Sequence, residues 1–202
     1  MRQPFSLECA TVVGRELRGE SSLYITAYAP DVGLARMMKK ISAKKTGALP
    51  DLFDDISAEG EADSPASLKF MRGFSLIKGR GDIALDYRAF EQASLVALTV
   101  AKNGAHIEDC ARLSSRLRAA LDAMAQKSPP EVVRLKFMYL LARDEGYPVR
   151  EDFLAKLPAA KRGLFMDIIK TPSADAVGLR ARAEELLEVF LDWTYANTDI
   201  IG

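Results

Sequence analysis

Ser21-Ser22-Leu23-Tyr24-Ile25-Thr26-Ala27-Tyr28-Ala29-Pro30-Asp31-Val32-Gly33-Leu34-Ala35-Arg36-Met37-Met38-Lys39-Lys40 is two alternating runs joined by one turn. Leu23, Ile25 and Ala27 fall on one side of an extended chain and Tyr24 and Tyr28 on the other, the period of a strand and not of a helix. Pro30 fixes φ and Gly33 accepts positive φ, so the chain turns between Ala29 and Gly33. Ser22–Ala29 and Gly33–Ile41 then pair as a hairpin. The same character extends outward, to Leu7–Leu17 before the hairpin and Ser67–Ile77 after it. Residues 47–66 differ, because acids, Ser64 and Pro65 dominate and only Leu49, Leu52, Phe53 and Ile56 are suited to packing. That segment is expected to be mostly loop, with one short strand at most. About five short strands in about 80 residues are too few for a sandwich and suit a small closed barrel of the oligonucleotide-binding kind.

Near Asp82 the period changes to that of helices. Ile107, Cys110, Leu113, Leu117, Leu121 and Met124 form one stripe, with Arg112, Arg116 and Arg118 around the wetter side. Ser128-Pro129-Pro130-Glu131 has the spacing of a capping box, which places Ser128 as the cap of a helix that ends at Gly146, before Pro148. Asp86–Asn103, closed by Gly104, reads as a further helix. Its run of Leu95, Val96, Leu98 and Val100 makes it the expected buried centre of a bundle. Leu164–Lys170 and Asp175 to about Tyr195 complete the set. The fold class is therefore α+β, with a barrel domain over residues 1–81 and a helical domain over 82–202.

Charge is distributed unevenly. Arg36, Lys39, Lys40, Lys44 and Lys45 fall in a stretch without an acid, whereas Asp51, Asp54, Asp55, Glu59, Glu61 and Asp63 fall in one without a base. A cationic block where a strand pair opens into a loop suits a polyanion. Arg15, Arg18, Lys69 and Arg72 are further candidate contacts, as are Lys78 and Arg80. The competing explanation is that lysines at a strand edge keep it solvated and block aggregation. Tyr24 and Tyr28 are candidates for base stacking, or for packing under a helix.

Elementary chemistry narrows the remaining classes. His106 is the sole histidine, Gly79-Arg80-Gly81 is too short to cradle a phosphate, and no serine lies in a nucleophile-elbow pattern. Asp51, Asp54 and Asp55 would need oxygens from elsewhere to hold a cation, so neither a metal site nor a cofactor is expected. Cys9 and Cys110 are read as reduced and structural. No apolar run approaches the roughly 18 to 20 residues that span a bilayer, and the chain is expected in the cytoplasm, not in a membrane. A catalytic role is not expected.

Several local patterns, in order, resemble the bacterial recombination mediator family RecO. Glu20-Ser21-Ser22-Leu23 leads into a strand, and Ala29-Pro30-Asp31-Val32-Gly33-Leu34 is similar to the family's Thr-Pro-x-x-Gly-Leu turn before a lysine-bearing loop. Leu49-Pro50-Asp51-Leu52-Phe53 stands where the family has Leu-x-Pro-Phe. Arg134-Leu135-Lys136-Phe137-Met138-Tyr139-Leu140-Leu141 with Gly146-Tyr147-Pro148 resembles its helix ending in Gly-Tyr-x-Pro. Together these cover most of residues 10–150. The chain departs from many members in having no cysteine between Val149 and Ala176, so their zinc module is not expected.

The resemblance implies a non-enzymatic protein of DNA repair and recombination, associated with the nucleoid. Such a protein binds single-stranded DNA, anneals complementary strands, and engages single-strand-binding protein and RecR when recombinase is loaded. DNA contact is assigned to Arg15, Arg18, Arg36, Lys39, Lys40, Lys44, Lys45, Lys69 and Arg72. The acidic tail of single-strand-binding protein calls for an apolar groove with a positive rim, for which Arg112, Arg116, Arg134, Lys136, Phe137, Leu140 and Leu141 are the candidates. The alternative is a non-catalytic interaction module of the same architecture with little DNA binding, consistent with a net charge of zero and an isoelectric point near 6.6.

Overall fold

The computed structural model describes residues 2–41, 48–64 and 67–202; Lys44 and Lys45 fall outside them. Among the described residues five strands come first: β1 (Gln3–Arg18), β2 (Ser22–Ala29), β3 (Gly33–Lys40), β4 (Asp55–Ala62) and β5 (Lys69–Lys78). The central hairpin forms as the alternation requires, with Tyr24 opposite Met38 and Ala29 opposite Gly33. Strand β1 is long because it serves two neighbours, pairing with β4 from Gln3 to Thr11 and with β2 from Thr11 to Arg18. Register shifts between Leu7 and Ala10 and between Val12 and Gly14 bend it from one to the other, as bulges do. A short parallel contact of Met37 and Met38 with Lys69 and Phe70 joins β3 to β5. The sheet thus closes as a barrel in the order β1-β2-β3-β5-β4. Leu7, Val12, Leu23, Ile25, Met37 and Ile56 fill its interior.

The acidic segment supplies a complete strand, and not merely a loop. Ile56, Ala58 and Ala62 face inward in β4 while Ser57, Glu59 and Glu61 alternate with them. Its core-facing residues are small, so the period of two is present without the bulky side chains that usually reveal it. Gly60 adds to the disguise, yet a Cβ there would overlap the Phe70 carbonyl oxygen of β5.

Five helices follow: α1 (Tyr87–Asn103), α2 (Cys110–Ala125), α3 (Pro130–Asp144), α4 (Ala159–Lys170) and α5 (Arg180–Asn197). A π-helical turn at Val149–Phe153 and short 3-10 turns lie among them. Two compact units result, Met1–Arg80 with Val100–Ser115, and Gly81–Thr99 with Arg116–Gly202. The division expected after residue 81 therefore omits a segment, because the end of α1 and the start of α2 belong with the barrel. In that unit Tyr28 is fully buried, and a Cβ on Gly104 would lie 2.6 Å from its Cε2.

Two further expectations change in the helical unit. Helix α1 is not buried on all sides: Tyr87, Phe90 and Leu98 are exposed, and α3 is the most enclosed helix, burying Val132, Leu135, Phe137, Met138 and Leu141 among others. Ser128 does not cap α3 either. Pro129 occupies the cap with no side-chain hydrogen bond, which moves Glu131 one position too early for a capping box. Glu131 instead accepts hydrogen bonds from Arg180 Nε at 3.1 Å and Arg88 Nη1 at 3.2 Å. The far end of α3 closes as expected, with Gly146 N–H donating to Arg143 O and Tyr147 N–H to Ala142 O, the Schellman pair. Phe153, Phe165 and Phe190 complete the core, with the half-buried Trp193 against them, the rings of Phe153 and Phe190 4.9 Å apart. Among the described residues, no helix is long and apolar enough to cross a membrane.

Candidate functional site

Cross-strand partners point to the same face of a sheet, so register decides which cations share a surface. Three rows lie side by side on β1, β2 and β3. Arg18, Ser22 and Lys40 form the first, Glu16, Tyr24 and Met38 the second, and Gly14, Thr26 and Arg36 the third. This face is the outward one, because the alternate residues Leu23, Ile25 and Met37 are buried in the barrel. Arg36 and Lys40 are exposed, and no acid among the described residues lies within ion-pairing distance of either.

A groove of about 1010 Å³ runs along this face. Among the described residues, Arg15, Arg18, Arg36 and Lys69 are the cations lining it, with Tyr24, Thr26, Met37, Ser67 and Leu68 between them. Gly104, Ala105, Ile107 and Cys110 form its wall at one end, over the buried Tyr28. A second cavity of about 310 Å³ shares Val32, Leu34 and Lys69 with it and reaches Gln3 and Ser64. The two tyrosines of β2 thus separate in role. Tyr28 packs, and Tyr24 stays in the groove, half-buried, with the Arg18 guanidinium 4.5 Å from its ring centroid.

Among the described residues, Glu16 is the one acid in the groove lining. Its carboxylate accepts a hydrogen bond from Arg18 Nη2 at 2.9 Å. That bond lowers the Glu16 pKa and raises that of Arg18, so the pair stays ionised.

The other cations are drawn elsewhere. Lys39 is opposite Leu23, on the face away from Lys40, where its Nζ donates to the Arg72 carbonyl at 3.4 Å and lies 5.7 Å from the Phe74 ring centroid. The run that is contiguous in sequence is therefore divided between two faces. Arg15 lines the groove but is bonded to Asp51 at 2.6 Å, and Arg72 is bonded to Glu61 at 2.6 Å. Arg80 is no surface contact: fully buried, it donates to Phe53 O at 2.7 Å and to Asp55 Oδ2 at 2.8 Å, while Thr11 Oγ1 holds the other Asp55 oxygen at 2.6 Å. Asp55 is thereby a structural acid, and among the described residues no group of three or more His, Cys, Asp or Glu side chains is placed to hold a metal ion.

Most residues proposed for an acidic tail are buried or bonded within their own unit. Phe137 is buried in the core and Leu140 half-buried. Arg134 is buried and donates to Gln92 Oε1 at 3.1 Å; burial lowers its pKa, with Tyr195 offsetting part of the effect. Lys136 donates to the Thr171 carbonyl, and burial lowers its pKa too. Arg116 is bonded to Asp144 at 3.1 Å and Arg112 to Asp109 at 3.1 Å. Burial pushes the Asp144 pKa up, but the hydrogen bonds from Arg143 and Arg116 outweigh it, leaving the carboxyl below its usual range. These basic groups serve internal contacts.

Sequence reasoning missed Glu16, Thr26, Met37 and the Gly104–Cys110 wall. The Glu-x-Arg spacing of Glu16 and Arg18 places both on one side of a strand, but only the register puts them beside Tyr24. No family model and no curated protein matches the chain.

Proposed function

We propose that this chain is a non-catalytic protein that binds single-stranded DNA along the outward face of β1, β2 and β3. The RecO resemblance extends that to a mediator of repair and recombination that anneals strands or aids recombinase loading. The observation that carries the reading is the groove itself, lined by four cations, with Arg18, Arg36 and an accessible tyrosine on the outward face. The strand order, with β3 parallel to β5, supports an oligonucleotide-binding barrel, a fold that takes its ligand on the face of strands 2 and 3 and on the loops after strands 1 and 4. Arg18 stands at the first of those loops, and Ser67 and Leu68 come from the second. Phosphate neutralisation along such a face is independent of sequence, which suits action anywhere on a genome.

A second reading has its own support. Arg2, Arg15 and Arg72 are bonded to Asp63, Asp51 and Glu61, so the acidic segment does offset part of the positive charge, as a pure interaction module would allow. Fluorescence anisotropy with a labelled single-stranded oligonucleotide separates the two. Binding at low salt that is abolished or strongly weakened in Arg36→Glu/Lys40→Glu and retained in Lys39→Glu is the expected result. No binding at low salt would favour the interaction module, and equal losses from all three positions would sink the assignment to this face.

A further inference from the structure

We infer that Arg18 and Tyr24 form a stacking platform for one unpaired base, and that this platform, not the cation count, makes the groove prefer single over double strands. The inference rests on the DNA-binding reading above and adds how that site distinguishes its ligand.

A carboxylate in a groove meant for a polyanion repels the ligand, so Glu16 needs an explanation. Its position supplies one. Glu16 is directly opposite Tyr24, and its bond to Arg18 at 2.9 Å fixes the guanidinium that sits 4.5 Å from the Tyr24 ring centroid. An arginine whose side chain is 59% exposed would ordinarily sample many rotamers. Held by a carboxylate and by a ring, it is preorganised as a flat cation with its plane available to a second flat partner.

The rows around it fit the same ligand. Successive outward residues of a strand are about 7 Å apart. Tyr24 therefore has the Arg18 and Lys40 row on one side and the Arg36 row on the other. A base on the platform would have cations for the phosphates on both sides of it. In a duplex both faces of each base are already stacked on neighbours, so the platform has nothing to receive, whereas the cations meet phosphates in either form. Glu16 acts as a positioning residue and has no contact with the ligand.

The test compares a labelled single-stranded oligonucleotide, the same length of abasic strand and the matching duplex, with wild-type protein and three variants. Arg18→Lys keeps the charge and loses the plane; Tyr24→Leu keeps an apolar side chain on the strand and loses the ring; Glu16→Gln removes the repulsive charge and loosens the guanidinium. The wild type should favour the base-bearing strand over the abasic one by at least about five-fold. Arg18→Lys and Tyr24→Leu should lose that preference, with abasic affinity and salt slope unchanged, and with preference over duplex falling equally. Glu16→Gln should tighten the abasic strand and reduce the base preference. A wild type that binds base-bearing and abasic strands alike, variants that weaken both alike, or a Glu16→Gln protein that tightens both alike would overturn the platform while leaving DNA binding in place. A wild type that binds neither strand at low salt would remove both.

Discussion

A cation in the sequence becomes a ligand contact, a structural tie or a neutralised surface group according to what lies within hydrogen-bonding reach. Arg80 and Arg36 mark the extremes. Arg80 and Asp55 are both wholly enclosed and bond to one another, with Thr11 bonding to Asp55 and the Phe53 carbonyl accepting from Arg80. Replacing one partner leaves a buried charge uncompensated, so Arg80→Met should lower stability by about 3–5 kcal/mol in urea denaturation. Arg36→Met, at an exposed position, should stay within about 0.5 kcal/mol of wild type. A loss at Arg80 no larger than that at Arg36 would show that the pair does not hold the barrel. Arg80 followed a candidate β-strand and looked like another groove cation, since burial of a charged group depends on a partner 25 residues earlier that no local pattern announces.

At the scale of elements, strands with bulky inward residues were readable and the strand with small ones was not. Strand β2 spans Ser22–Ala29 as its alternation requires, whereas β4 carries Ala58, Gly60 and Ala62 among acids and resembles a loop until its register with β1 and β5 is known. Helix α3 teaches the same lesson at its start. Its Ser-x-x-Glu spacing is real, but the cap falls on Pro129, and Glu131 is used by Arg88 and Arg180. Ser128→Ala should therefore change stability by less than about 0.5 kcal/mol, where a working cap would cost about 1. Glu131→Ala should cost about 2 kcal/mol through its charged hydrogen bonds. Chemical denaturation of the two variants side by side tests the assignment, and a larger loss at Ser128 would restore the capping box.

For the molecule as a whole, a net charge of zero coexists with a locally cationic face. What matters to a polyanion is the number of phosphates that the face can neutralise. Among the described residues, Arg18, Arg36 and Lys40 are cations of this face with no bond to an acid of the 51–63 segment, and three contacts correspond to a log–log salt slope of about −2.1 for a single strand. Titration of an oligonucleotide at several salt concentrations reads that slope directly. A value near zero would mean that the face does not meet phosphates, and one much steeper would bring in cations beyond it. Division into units belongs to this scale too, since Val100–Ser115 joins the barrel through the packing of Gly104 over Tyr28, a contact between positions 76 residues apart.

Alternation, turn residues and the shift to a helical period fixed by themselves an α+β chain, its central hairpin, the approximate helix positions and the cations available. These are local properties, carried by neighbours a few residues apart. Tertiary structure alone decided that Lys39 and Lys40 part to opposite faces, that Arg80 is internal, that Tyr28 packs while Tyr24 remains in the groove, and that Glu16 holds Arg18. Each of those outcomes depends on strand register or on burial, and both arise only when segments distant in the chain are brought into contact.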